Sequence, residues 1–213
     1  MDMREGSRDV RFTGRIAGFG TASGTRIVIG MWEASPFGRF ADVMLEDADG
    51  HRTLLAPSGE VADFIAGTYT FDEVQVAPVS VRRVAGGLAV EVGGVPRPHL
   101  TVRMMVGAVS PLGRVLRALP GGLTTAPLWL AAVDPVAKVL VPGVRTAGTA
   151  GGGLREFYGV TTVRRIAWAS AVLDGRDLGA FAPLDPPVRF GFGSAPPEPS
   201  LVDLVTTIRE PAS

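Results

Sequence analysis

Hydrophobic and polar positions alternate with a period of two in parts of this chain, and other stretches are rich in β-forming residues, so most of it predicts strands. Arg11 to Phe19 and Thr25 to Trp32 are rich in β-forming residues and are separated by Gly20, Thr21, Ala22, Ser23 and Gly24, which marks a hairpin. Phe40 to Glu46 and His51 to Ala56 flank Asp47, Ala48, Asp49 and Gly50, where an Asp-Gly pair supplies the positive φ of a tight turn. Ser58 can cap a short helix with Val61, Phe64 and Ile65 on one face and Gly67 near its end. Phe71 to Arg83 reads as one long extended stretch, in which Pro78 implies an edge or a bulge. Gly86 and Gly87 turn the chain into Leu88 to Val92, and Leu100, Val102, Met104 and Val106 then alternate with Thr101, Arg103 and Met105.

A different pattern runs from Met104 to Gly153, an apolar block broken by Pro and Gly. Ser110 before Pro111 is a helix start, because Ser caps exposed N–H groups and Pro at the first helical position loses no bond. Leu112, Val115, Leu116 and Leu119 then share one face, and Pro120, Gly121 and Gly122 stop the helix. Asp134 and Pro135 open a second short helix that ends near Pro142 and Gly143. Burying the four aliphatic side chains of the first helix stabilises by roughly 1.5–3 kcal/mol each at most, so that face needs a partner. The partner is the sheet, a second copy of the chain, or a membrane surface. A bilayer-spanning helix is excluded, since Pro120, Gly121, Gly122 and Pro127 interrupt the run from Ala118 to Val133.

Glu156 to Leu173 is again rich in β-formers and ends in the Asp174-Gly175 turn signal, and Val188 to Phe192 reads as a short strand between Pro-rich loops. For the last element, Leu201, Leu204, Val205 and Ile208 have helical spacing and Ser200 with Asp203 forms a capping-box pattern. Thr206, Thr207 and Ile208 favour a strand; the helical reading is preferred here. A faint echo between residues 56–65 and 195–205 is compatible with a duplicated unit.

Composition narrows the chemistry. At 213 residues the chain can bury about 70% of its unfolded surface without staples, and it has no cysteine. Thiolate nucleophiles, Cys-bound zinc, iron–sulfur clusters and thiol redox chemistry are thereby excluded. Basic and acidic residues balance at 21 each, with no basic cluster, so a nucleic-acid partner is not expected. The charged start, MDMREGSRDV, lacks the apolar run of a secretory signal, and the expected location is the cytoplasm.

Gly18, Phe19, Gly20 and Gly24 imitate a dinucleotide-binding glycine loop, but such a loop must open a helix and the residues that follow read as a strand. No HExxH, GxSxG or GxxxxGK[ST] pattern is present, and His51 and His99 are the only histidines, so neither a metal nor another cofactor is expected. Lys138 is the only lysine, which confines Schiff-base chemistry to it or to the N-terminus.

Arg155, Glu156, Phe157, Tyr158, Gly159, Val160 resembles a short stretch of acetoacetate decarboxylase-like proteins, and Ser35, Pro36, Phe37, Gly38, Arg39, Phe40 resembles another. In that family the first stretch runs on into Pro-Lys, which carries the Schiff-base lysine; this chain has Thr161 and Thr162 there. The resemblance implies a β-rich cone with an apolar interior and carries over no activity.

The fold expected is a single α+β, strand-dominated domain over 1–213, a curved antiparallel sheet or partly closed β-barrel. A Pro/Gly-punctuated helical segment at about 110–142 packs over it. Residues 1–106 form a β-rich part, 107–153 the apolar helical segment, and 154–213 a second β-rich part with a terminal helix. The expected site is a cavity between sheet and helical segment for a small apolar or amphipathic ligand. Met104, Trp129 and Trp168 would be its apolar wall and Arg155, Glu156 and Tyr158 its polar anchors. Three rivals stand beside it: a filled core with no cavity; an enzyme without metal, nucleotide or thiol, of acetoacetate decarboxylase-like architecture without the Schiff-base lysine, using Arg, Tyr and carboxylates and requiring a facing titratable pair with perturbed pKa values; and a homo-oligomer or membrane-surface protein.

Overall fold

The computed structural model describes residues 9–94, 99–118, 147–149, 155–190 and 196–209. Its elements run β1 (Asp9–Thr21), β2 (Arg26–Ala34), β3 (Phe40–Glu46), β4 (Arg52–Ala56), α1 (Gly59–Thr68), β5 (Glu73–Val76), β6 (Val79–Val84) and β7 (Gly87–Val92). They continue with β8 (Leu100–Val109), α2 (Pro111–Ala118), β9 (Ala147–Thr149), β10 (Arg155–Leu173), β11 (Arg176–Asp177), β12 (Phe181–Ala182) and β13 (Ser200–Arg209). Among the described residues every strand joins one sheet, whose main path is β5-β4-β3-β2-β1-β13-β10-β8-β7-β6.

Local chemistry explains the hairpins. Asp47 Oδ1 accepts from the backbone N–H groups of Asp49 and His51, each at 2.9 Å, and Gly50 takes φ 88°, so the β3–β4 turn forms where Asp-Gly predicts it. The glycine-containing stretch after Phe19 joins β1 to β2 as a hairpin and opens no helix, as the strand pattern requires. Ser58 caps α1 by accepting from Val61 N at 3.3 Å, and Val61, Ala62 and Ile65 are buried against Leu54 and Ala56 of β4.

Strands far apart in the sheet share one core. Phe19, Ile27, Ile29 and Val43 of β1 to β3 pack in the same cluster as Leu88, Val90, Leu100, Val102 and Met104 of β7 and β8. A flat sheet would hold these groups several strand spacings of about 4.8 Å apart, so the sheet has curled into a half-barrel. The architecture is therefore the expected strand-dominated one, a curved sheet with few helices. α2 lies over β10, with Leu112 and Leu116 against Tyr158, Val163, Val202 and Leu204.

Several expectations are corrected. Residues 200–209 form a strand, β13, held between β1 and β10, because a site with ladder partners on both sides satisfies every backbone group of a segment rich in Val, Thr and Ile. Asp203 is used in an ion pair with Arg164 at 2.7 Å and not in a helix cap. The echo of 56–65 in 195–205 fails with it, since the first copy holds a helix and the second a strand. The extended stretch from Phe71 to Arg83 divides at Ala77 and Pro78 into β5 and β6, which lie at the two edges of the path, the edge position that Pro78 implied. Pro78 has no N–H with which to continue a ladder.

Of the strand expected over Val188 to Phe192, residues 188–190 form no strand and 191–192 lie outside the described residues. On α2, Val115 is exposed at 62%, so the packed face is narrower than its spacing suggests. The segment from 107 to 153 also contains strand, since β8 reaches Val109 and β9 occupies Ala147–Thr149. Leu119, Trp129, Lys138 and the second helix expected after Asp134 lie outside the described residues. No helix among the described residues is long and apolar enough to cross a membrane.

Candidate functional site

The face of the sheet opposite the curled core carries a second set of side chains. Alternation along β10 puts Glu156, Tyr158 and Val160 on this face, and ladder partners extend it sideways. Tyr158 pairs with Thr206, Thr206 with Phe12, Val202 with Ile16, Ile16 with Gly30, and Gly30 with Asp42. Register irregularities in β10, at Val160/Thr162 and again at Arg164/Ile166 and Ile166/Trp168, turn its later residues elsewhere. One long strand thus serves both faces, and Ile166, Ala169 and Ala171 join the curled core.

Two further pieces close over this face. α1 ends at Tyr69, whose N–H donates to Ile65 O at 2.9 Å and whose phenol points away from the helix to Glu156. The stretch carrying Val188 and Phe190 is tied down from below. Thr70 N donates to Phe190 O at 2.6 Å, and the Arg189 backbone N–H donates to the fully buried Glu46 at 2.6 Å. Glu46 also pairs with Arg26 at 3.2 Å, and Arg26 donates to Pro186 O at 3.2 Å.

Between sheet, α1 and this cover lies a cavity of about 90 Å³. Its walls are largely aromatic and aliphatic, with Phe12, Trp32, Phe40 and Phe64 at one end; the Phe12 ring lies 5.5 Å from Trp32 and 5.3 Å from Phe64. Into this apolar space open two carboxyl groups. Asp42 accepts from Trp32 Nε1 at 2.9 Å, and Glu156 Oε1 accepts from Tyr69 Oη at 2.6 Å. Tyr69 Oη also lies 2.7 Å from Tyr158 Oη, and Tyr158 hydrogen-bonds Glu156 as well.

The second oxygen of each carboxyl, Asp42 Oδ2 and Glu156 Oε2, is buried without a hydrogen-bond partner among the described residues. So are Thr206 Oγ1 and Ser200 Oγ, which line the same cavity. Leaving a buried polar group unpaired costs about 1–3 kcal/mol, and folded proteins rarely tolerate several together without water or a ligand.

Burial decides the titration of these groups. It pushes the Glu156 carboxyl up to about 7, against the opposing hydrogen bonds from Tyr69 and Tyr158. It pushes Asp42 up to about 6, against the bond from Trp32. Tyr69 and Tyr158 are raised well above the ordinary phenol value, first by burial and then by the Glu156 charge beside them, so they stay neutral donors. The site therefore holds a carboxyl that changes charge near neutrality inside an apolar cavity, an arrangement suited to binding a polar group or to moving a proton.

Of the residues singled out from sequence, Glu156 and Tyr158 line this cavity. Met104 is buried in the curled core on the opposite face, and Trp168 is half exposed at 45%. The Arg155 backbone pairs with Thr149 and Arg209. Trp129 is outside the described residues. α2 borders the site through Leu112 and Leu116 but does not line the cavity; its cover comes from α1 and residues 188–190.

Sequence reading missed Trp32, Asp42, Tyr69, Ser200 and Thr206. Asp42 carried a signal, being a lone carboxylate among Phe40, Ala41, Val43, Met44 and Leu45. His51 and His99 are elsewhere, paired with Glu73 and Asp174. Among the described residues no group of three or more His, Asp or Glu is placed to hold a metal ion. A wider cleft of about 430 Å³ opens near Arg15, Arg39 and Arg83, and its walls contain none of the buried unpartnered atoms.

No protein-family model matches the chain, and no curated protein does. Solved structures with a similar chain path include an acetoacetate decarboxylase from Legionella pneumophila subsp. pneumophila strain Philadelphia 1. It is 10% identical, with a TM-score of 0.44 and coverage of 96% of this chain and 86% of that one. A second structure of acetoacetate decarboxylase is 11% identical, with a TM-score of 0.46 and coverage of 95% and 88%. At the position where sequence comparison with that family expects Pro-Lys, Thr161 donates its hydroxyl to Asp203 O at 3.1 Å and Thr162 is buried.

Proposed function

We propose that this chain is a binding protein for a small, largely apolar molecule carrying one polar group, held in the cavity above β1, β2, β3, β10 and β13. The observation that carries the reading is the concentration, in one apolar cavity, of buried polar atoms without a partner among the described residues, on Asp42, Glu156, Ser200 and Thr206. Apolar walls with a few convergent polar groups are the usual composition of a small-molecule site. The volume, about 90 Å³, is that of roughly three water molecules, so the bound part of the ligand is small.

An NMR titration of the 15N-labelled chain with a panel of short-chain alcohols, amides, ketones and amines tests this. Binding in the cavity shifts the Trp32 indole N–H and the Gly30 amide together. If no member of the panel moves either resonance, the proposal is wrong.

A second reading is an enzyme that works by general acid–base chemistry without metal, nucleotide or Schiff-base lysine. What favours it is the pair of carboxyls, Glu156 at about 7 and Asp42 at about 6, in one cavity. The two readings part on the fate of the ligand: a binder returns it unchanged after prolonged incubation, whereas the enzyme converts it and Glu156→Gln stops the conversion.

A further inference from the structure

We infer that the polar group recognised in the cavity is an ammonium, so that the ligand class is a short alkyl amine; this rests on the binding role proposed above. Three features of the site converge on a cation. The first is the inventory of free groups. Glu156 Oε2 and Asp42 Oδ2 are acceptors when ionised, and Thr206 Oγ1 is a hydroxyl able to accept, so the site offers oxygens to a ligand that brings donors. An ammonium has three N–H donors and no acceptor, which matches. A carboxylate ligand would bring only acceptors and a like charge into the same enclosed space.

The second feature is where these oxygens sit. Thr206 pairs in register with Tyr158, two residues along β10 from Glu156, which places its hydroxyl and the Glu156 carboxyl on adjoining positions of one sheet face. Asp42 lines the same cavity from β3. Among the described residues, the titratable groups that line the cavity with Glu156 are Tyr69 from the end of α1, Tyr158 on its own strand and Asp42 on β3, and none of them is basic. Arg26, buried on the cover side, pairs with Glu46 and is not among the residues that line the cavity.

The third feature is the aromatic end. Phe12, Trp32, Phe40 and Phe64 line one end of the cavity, and aromatic faces attract ammonium groups while repelling anions. The cavity is small, about 90 Å³, so the alkyl part of the amine is short.

Isothermal titration calorimetry on the full chain with butylamine, butan-1-ol and butyrate separates this inference from the proposal it rests on. Butylamine is expected to bind at least about tenfold more tightly than butan-1-ol, and butyrate least. Glu156→Gln, which keeps the shape and removes one of the two carboxyl charges, is expected to reduce the preference for the amine over the alcohol. In the unmutated protein near neutral pH, butylamine binding releases a proton from Glu156, so its heat depends on the ionisation enthalpy of the buffer while that of the alcohol does not. This second reading stands even if the variant folds poorly. If butan-1-ol binds as tightly as butylamine, or butylamine binding releases no proton, the ammonium is overturned and the cavity remains a binding site. If none of the three binds, both fall.

Discussion

The indole N–H of Trp32 reaches Asp42 Oδ1 over 2.9 Å by passing across the bare backbone of Gly30. A Cβ at position 30 would stand 2.4 Å from Asp42 Oδ1 and 2.7 Å from Trp32 Nε1, closer than any real contact. The glycine is there to leave room for a buried hydrogen bond, and its φ is not the reason.

Gly30→Ala therefore separates the pair. Asp42, whose Oδ2 has no partner among the described residues, then loses the hydrogen bond at Oδ1 in a wholly buried position. The expected loss is roughly 1–3 kcal/mol in urea unfolding, together with an upfield move of the indole N–H resonance of Trp32. A variant as stable as the parent, with an unmoved indole resonance, would show that the sheet yields at no cost.

The carboxyl of Glu156 gives stability a pH dependence of defined sign. Its folded-state value, about 7, lies above the ordinary 4.5, so the folded chain holds a proton that the unfolded chain has released. Stability from this group is complete below about 4.5 and is lost as pH rises towards about 7; Asp42, raised from 3.8 to about 6, acts in the same direction. Asp9, Asp72 and Glu73, lowered chiefly by hydrogen bonds to Arg209, Arg52 and Gln75, act oppositely at the acid end. Comparison with Glu156→Gln isolates the one group. Relative to that variant, the parent loses up to about 3 kcal/mol between about pH 5 and pH 8, read from urea midpoints. A constant difference would place the Glu156 titration outside this range.

These relationships show how far sequence alone reaches. Hairpins at Asp47 to Gly50 and Asp174 to Gly175, and the cap at Ser58, depend on near neighbours and were readable from residue type. β13 was not, because Leu201, Leu204, Val205 and Ile208 satisfy helical spacing as well as strand alternation does. Only the unfilled slot between β1 and β10 decides, and that slot is made by residues distant in sequence. The site was half legible for the same reason. Glu156 and Tyr158 stand two apart on one strand, whereas Asp42, Tyr69 and Thr206 reach them through pairings across β1, β2 and β13 and the end of α1.

Tyr69 supplies the Glu156 carboxyl with a hydrogen bond at 2.6 Å, and Tyr69→Phe removes it with little change of volume. The bond favours the ionised carboxyl, so its loss moves the Glu156 value further up. The cost is about 1–3 kcal/mol near pH 8 and smaller near pH 5, where Glu156 is protonated in either protein. Carbon-13 NMR of the Glu156 carboxyl follows the shift directly; a downward shift would contradict the donor role assigned to Tyr69.

Glu46 holds the cover of the cavity with two arginines that contribute unequally. Arg26 is 4% exposed and Glu46 fully buried, whereas the Arg189 side chain is 68% exposed and its backbone N–H makes the shorter contact to Glu46, at 2.6 Å. Arg189→Ala keeps that backbone bond and removes only a solvent-screened ion pair, so its cost is below about 1 kcal/mol. Glu46→Gln leaves Arg26 charged and buried opposite a neutral amide, a change in the range of about 3–5 kcal/mol. The same substitution loosens residues 186–190, which Glu46 and Arg26 tie to the sheet, and with them the acceptor of the Thr70 amide at Phe190 O. Hydrogen exchange of the Thr70 amide should accelerate in Glu46→Gln and stay near the parent rate in Arg189→Ala. Equal acceleration in both would mean that the exposed guanidinium, and not the buried carboxylate, keeps the cover in place.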